Sequence, residues 1–154
     1  MNDEMNDDSQ RYATLLHRAA ALWRARLDAR LRPWGMTQAT WRTLWLLRGE
    51  ASDFNQSELA ARLGIETPTL VGIIDRMEAK GLLRRTPDSH DRRRKRIAIT
   101  DAGLQLAREI EGEVVAVREE MLGDFDAEAL RAGIRQLERI VGKAGGEGAP
   151  PPAD

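Results

Sequence analysis

The chain has no cysteine, which excludes a disulfide framework, a thiolate metal site and a thiol redox switch. Its two histidines, His17 and His90, are too far apart in sequence for a local metal motif. Neither a lysine-bearing glycine-rich phosphate loop nor a zinc-hydrolase pattern is present. No nucleophile stands beside a base, so the sequence implies neither an enzyme nor a cofactor. Uncharged apolar runs of membrane-spanning length are missing too, and Met1 to Gln10 is acidic and polar rather than basic then apolar as in a signal peptide. These absences imply a cytoplasmic protein with no membrane partner. At 154 residues the chain can bury a core without staples, as one domain with an extension or as one protomer of an oligomer.

The net charge of −1 hides a strong segregation. Residues 1–50 carry +2, residues 51–100 carry +3 and residues 101–154 carry −6. From Arg84 to Arg96 there are seven Arg or Lys against Asp88 and Asp91, a local charge of +5. A polyanion senses that local field, because distant carboxylates are screened beyond a Debye length of about 8–10 Å.

Periodicity divides the chain into helices around one hairpin. Tyr12, Leu15, Leu16, Ala19, Leu22, Trp23, Leu27 and Leu31 recur at three- and four-residue steps, predicting an amphipathic helix from Ser9 to about Arg32, with Asp8 or Ser9 as its cap. Pro33 stops it, and Thr37 opens a second helix with Trp41, Leu44, Trp45 and Leu47 inward. Gly49 to Phe54 is a loop. Ser57 to Leu63 is a short helix closed by Gly64, and Thr67-Pro68 reads as an N-cap with proline at the first helical position. That helix carries Leu70, Val71, Ile73, Ile74 and Met77 inward and ends near Lys80-Gly81, leaving its start exposed. Leu82 to Thr86 and Lys95 to Thr100 form a hairpin with turn chemistry between them. Thr100 caps a helix with near-heptad Leu104, Ala107, Ile110, Val114, Val117 and Met121, and Asp126 opens a last helix with Leu130, Ile134, Leu137, Ile140 and Val141. Residues 1–8 and 143–154 are expected to be disordered.

The order of these pieces is more informative than any one of them. Two short helices joined at Gly64, followed at once by a hairpin with Arg92-Arg93-Arg94-Lys95-Arg96 at its tip, are what a protein needs to hold a duplex. The second helix is sized for the major groove and the basic finger lies beside it. Consecutive like charges at a hairpin tip repel one another and serve no folding purpose, whereas phosphates would relieve them. Asp91 beside them is expected to orient Arg93, and His90 to add an exposed donor near phosphate.

The segments Leu22–Leu31, Thr37–Trp41, Gln56–Ile74, Glu78–Leu82 and Asp91–Thr100 resemble the MarR/SlyA family of bacterial winged helix-turn-helix regulators over nearly the whole chain. The Asp-x-Arg of Asp91 to Arg93, followed by a strand ending in Ile99-Thr100, is the most specific of these. The resemblance implies a mainly α fold with a small β-hairpin wing. It implies dimerisation helices at about 9–32 and 101–142 around a DNA-binding lobe at about 37–100, together a winged-helix domain over 9–142. It further implies a homodimer on double-stranded, pseudo-palindromic operator DNA at the nucleoid. Thr67, Pro68 and Thr69 would face base edges, and Arg92 and Arg93 would belong to the wing, with Arg76, Arg84, Arg85, His90 and Arg94 as further DNA contacts. Relatives tend to carry an arginine where this chain has Gly72, so base readout there falls open, with Arg76 one turn further along.

Trp23, Trp34, Trp41 and Trp45 all precede the basic hairpin. They read first as core, Trp41 and Trp45 lying one helical turn apart on a single face, and after that as the wall of a site for a small aromatic acid effector, a ligand class the resemblance implies, with Trp23, Arg24, Trp41, Arg42 and Trp45 around it; one residue can do both. A repressor relieved by such a ligand is the expected function. The alternative is a winged-helix module that docks a protein partner without sequence-specific DNA binding.

Overall fold

The computed structural model describes residues 2–49 and 54–144, and the chain divides into two compact units, residues 1–38 and 39–154. In the first, helix α1 spans Asn2–Leu31. It starts seven residues before the expected Ser9, so residues 2–8 are helical rather than disordered. Acidic Glu4, in the first turn, suits the positive end of the helix dipole. Ser9 is not a cap: its hydroxyl donates to the Met5 carbonyl at 2.8 Å, inside the helix. A 3-10 turn over Arg32–Trp34 follows, and Gly35 (φ 66°) takes the left-handed conformation that lets the Met36 amide return to the Leu31 carbonyl at 3.2 Å. The Asp28 carboxylate accepts the Gln38 amide at 2.7 Å, fixing where the next helix begins. Leu27, Leu31 and Met36 are buried.

The second unit contains α2 (Gln38–Leu47, from Ala39 onward), α3 (Gln56–Leu63), α4 (Thr67–Ala79), strands β1 (Leu83–Pro87) and β2 (Lys95–Ile99), α5 (Asp101–Leu122) and α6 (Ala127–Ala144). Lys143 and Ala144 close α6 instead of opening a disordered tail. The rest of that expected tail, and 50–53 of the expected loop, lie outside the described residues.

Helix α3 opens with a reciprocal capping box: the Glu58 amide donates to Asn55 Oδ1 at 2.9 Å, and the Asn55 amide to Glu58 Oε2 at 3.0 Å. Gly64 (φ 66°) ends it. Helix α4 begins one residue off expectation, with Glu66 as N-cap, Thr67 as the first helical residue and Pro68 as the second. Proline is tolerated there because that amide has no partner within the helix. Leu59, Ala60 and Leu63 of α3 are buried, as are Leu70, Ile73, Ile74 and Met77 of α4. At roughly 25 cal/mol per Å² of apolar surface removed from water, such side chains drive the association of two helices too short to be stable alone.

Strands β1 and β2 pair antiparallel, with Leu83 opposite Ile99 and Pro87 opposite Lys95. The segment before α3 adds a bridge the sequence reading missed. The Ile97 amide donates to the Phe54 carbonyl at 3.0 Å, and Asn55 pairs with Arg96, so α3 enters directly off the hairpin. Thr100 caps α5 through the Gly103 amide at 3.1 Å, as expected. At Gly103 an added Cβ would lie 2.3 Å from the Leu82 carbonyl oxygen and 2.8 Å from Ile99 Cγ1, so α5 sits closer to the hairpin base than any side chain permits. Asp126 caps α6 through the Ala129 amide at 2.7 Å. No helix among the described residues is long and apolar enough to cross a membrane.

Candidate nucleic-acid interface

Burying one side of α4 fixes what its other side presents. Thr67, Pro68 and Thr69 at its start are all exposed, as the sequence reading expects of residues meant for base edges. Arg76 is exposed further along the helix.

The hairpin tip uses its two acids on itself. Asp88 Oδ1 accepts the His90 amide at 2.8 Å, and Asp91 Oδ1 accepts the Arg93 amide at 2.9 Å, each a turn in which a carboxylate binds the backbone two residues on. The Arg94 amide returns to the Asp91 carbonyl at 3.0 Å, and the Asp88 amide to the Arg94 carbonyl at 3.1 Å. The carboxylate of Asp88 also lies 3.5 Å from Arg96 Nε. Asp91 therefore meets Arg93 at its backbone amide, while its charge faces Arg94 Nε at 4.0 Å. Arg92 and Arg93, both exposed, have no carboxylate partner among the described residues. His90 and Arg84 are exposed as well. The puzzle of acids inside a basic cluster thus has a geometric answer: they shape the loop and leave two arginines free.

A cavity of about 200 Å³ separates the wing from the start of α3, lined by Asn55, Gln56, Ser57, Arg93, Arg94 and Lys95. Residues at the start of α3 and basic residues of the wing thus share one lining.

Arg85 does not belong to this surface. Its Nε donates to Gln56 Oε1 at 3.1 Å, its Nη1 to Glu78 Oε1 at 2.8 Å and its Nη2 to Asp75 Oδ1. Its side chain is only 17 % exposed. Burial works against its charge, but Asp75 and Glu78 outweigh that and raise its pKa. The Arg85 amide first, and its guanidinium second, hold the Glu78 carboxyl below the ordinary value. Arg85 is a clamp joining α3, α4 and β1, and the expectation of a DNA contact there is withdrawn. A signal existed in the sequence: Asp75 and Glu78 on a helix meant for a polyanion would repel it unless a cation neutralised them.

The expected ligand residues fall in both units. In residues 1–38, Trp23 is half-buried and Arg24 exposed. In the second unit Trp41 is buried, in keeping with the core reading. The half-buried Trp45 ring is covered by Arg48, whose guanidinium carbon lies 5.5 Å from the ring centre. Arg42 donates to the Leu63 carbonyl at 3.1 Å, satisfying the C-terminus of α3. Desolvation lowers its pKa. Among the described residues no cluster of His, Asp or Glu has the makings of a metal site.

Comparison with known proteins agrees with this geometry. The MarR family profile matches residues 34–94. The transcriptional regulator PA3341 is 37% identical, with 84% of this chain and 95% of that one covered, at a TM-score of 0.75. AbsC, a MarR family transcriptional regulator from Streptomyces coelicolor, is 26% identical over 92% of this chain and 97% of that one, at a TM-score of 0.82. CouR from Rhodococcus jostii RHA1, in a structure bound to p-coumaroyl-CoA, is 28% identical over 86% of this chain and 92% of that one, at a TM-score of 0.77. With an exposed helix start, a basic wing and a 37% identical regulator matched along nearly its full length, the chain belongs to the MarR family of transcriptional regulators.

Proposed function

We propose that the protein is a homodimeric repressor that binds a pseudo-palindromic operator, inserting the start of α4 into the major groove and placing Arg92 and Arg93 at the minor groove. The observation that carries this reading is the wing tip. Asp88 and Asp91 are turned onto backbone amides, Arg92 and Arg93 are left without a carboxylate partner among the described residues, and Thr67, Pro68 and Thr69 are exposed at the start of α4. Each phosphate so neutralised steepens the fall of log affinity with log salt by about 0.9. Such a regulator acts in the cytoplasm, at the nucleoid.

Exposed apolar side chains support the dimer. In α1, Tyr12, Leu15 and Leu22 are 42%, 52% and 53% exposed, and α6 has no buried residue at all. Two-fold pairing is the common way to cover such faces, and it would set two lobes about one helical turn of DNA apart, roughly 34–36 Å. A small aromatic ligand, phenolic or carboxylate, is the proposed effector; what supports it is the phenolic acyl group of the p-coumaroyl-CoA bound to the similar CouR. It would act by binding one lobe spacing better than another, lowering operator affinity by that difference.

Footprinting on the promoter beside the protein's own gene, with and without salicylate, tests this. The expected result is a protected two-fold site that opens on adding the acid. Equal, salt-erased affinity for every duplex would overturn the operator reading, and protection indifferent to aromatic acids would overturn the effector.

A further inference from the structure

Gly72 has no conformational reason to be glycine. It lies inside α4 without a positive φ, where glycine is a poorer helix former than alanine. Its effect is on a neighbour. A Cβ at position 72 would lie 3.6 Å from Arg76 Nη1, so the Arg76 guanidinium folds back one turn and rests over the bare backbone of residue 72.

Helix geometry places that guanidinium on the outer face. With Leu70, Ile73, Ile74 and Met77 inward, the line opposite runs through Pro68, Gly72 and Ala79 at 100° per residue, with Thr69 and Arg76 along one flank and Asp75 along the other. Asp75 is already paired with Arg85. The Arg76 side chain makes no hydrogen bond or ion pair among the described residues. A free planar fork therefore sits at the middle of the exposed face, displaced toward the end where Thr67, Pro68 and Thr69 are presented.

We propose that Arg76 is the base-reading residue of α4, with Gly72 as the notch that seats its guanidinium for bidentate contact with the O6 and N7 of a guanine. The proposal rests on the operator reading above. Arginine's five-donor fork matches those two acceptors, and the bare backbone beneath it allows a closer approach to the groove floor. An arginine rooted at position 72 would reach outward from that level. Here the fork arrives at the same level from one turn away.

The test is selection of preferred half-sites from a randomised duplex pool by the wild type and by the Arg76→Ala, Arg76→Lys and Gly72→Leu variants, with salt titrations on the best site. Arg76→Ala should lose preference for G·C at one position in each half-site, by about 5- to 150-fold, with little change toward scrambled duplexes. Arg76→Lys should not restore the preference. Gly72→Leu, filling the notch with the arginine still present, should lose it too. Uniform weakening on all duplexes, a salt slope reduced by about 0.9 and rescue by lysine would identify a phosphate contact and overturn the proposal. So would an Arg76→Ala variant that keeps every preference of the wild type. A wild type with no sequence preference would overturn the operator reading and this assignment with it.

Discussion

The carboxylate of Glu78 receives both the backbone amide and a guanidinium nitrogen of Arg85, at 2.8 Å each, fastening the first strand of the wing to the last turns of α4. The angle between reading helix and wing is therefore set by an ion cluster, with Asp75 and Gln56 completing it. Arg85→Ala removes its centre and leaves two neighbouring carboxylates without a cation. After allowing for solvent screening at this half-open site, the expected loss is about 1–2 kcal/mol in urea unfolding. Arg85→Lys should recover only part of it, since one ammonium does not span Gln56, Asp75 and Glu78. A variant as stable as the wild type would show that the cluster contributes nothing net.

The same pair gives the fold an acid sensitivity of known sign. Glu78 is held below its ordinary 4.5 by the Arg85 amide and then the guanidinium, so its folded pKa lies under its unfolded one. The stabilisation is complete above the unfolded value and is lost as pH falls from about 4.5 through the lower folded pKa. Stability of the wild type minus that of Glu78→Gln should stay constant from neutral pH down to that point and shrink below it. A gap that persists at lower pH would rule out this linkage.

Truncating Asp91 should weaken DNA binding even though it removes a negative charge from the wing. Asp91 sits among arginines, so simple electrostatics predicts tighter binding for Asp91→Ala. The structure predicts the reverse, because Asp91 Oδ1 holds the Arg93 amide at 2.9 Å and a loosened loop must be ordered anew on the duplex. Asp91→Asn keeps the acceptor and loses the charge, so it should bind at least as well as the wild type. Affinity by fluorescence anisotropy at fixed salt separates the two accounts, and tighter binding by Asp91→Ala would reject the positioning role.

What the sequence disclosed was whatever depends on neighbours along the chain. The period of the helices, Gly64 as the turn, Thr100 and Asp126 as caps and the basic tip all follow from local rules and match the structure. What it concealed depends on residues far apart. Arg85 and Arg92 are equally basic in sequence, and only folding brings Gln56, Asp75 and Glu78 around one of them. That Asp91 would bind the Arg93 backbone amide rather than its guanidinium is a matter of loop geometry that the sequence does not carry. The early start of α1 was missed because Asn2 to Asp8 contribute almost no apolar period.

Gly103 illustrates the same limit and gives a sharp test. In sequence it is one helical residue of many, yet a Cβ there would meet the Leu82 carbonyl oxygen at 2.3 Å. Ala is otherwise the better helix former by about 1 kcal/mol. Backbone cannot yield as a flexible side chain does, so Gly103→Ala should be destabilising by about 1–3 kcal/mol in spite of that propensity. Gly112→Ala on the same helix, where nothing lies within 4 Å, should be neutral or stabilising. Thermal melts of the two variants are expected to move in opposite directions, and a stabilised Gly103→Ala would contradict the close packing.

Helix α6 poses the question of assembly most directly. Ile134 and Val141 are 49% and 58% exposed in the single chain, so replacing both with Glu costs the protomer little by itself. If a second copy covers this face, each substitution places a carboxylate in an apolar interface without a partner, at several kcal/mol. The Ile134→Glu/Val141→Glu variant should then sediment at half the wild-type mass with its helical signal retained. Its grip on a two-half-site duplex should fall by about a hundredfold or more, because the second lobe no longer binds as part of the same particle. Binding to an isolated half-site, made by one lobe alone, should be nearly unchanged. A wild type that sediments as a single chain, or a variant that keeps both its mass and its operator affinity, would remove α6 from the interface and require another account of its exposed face.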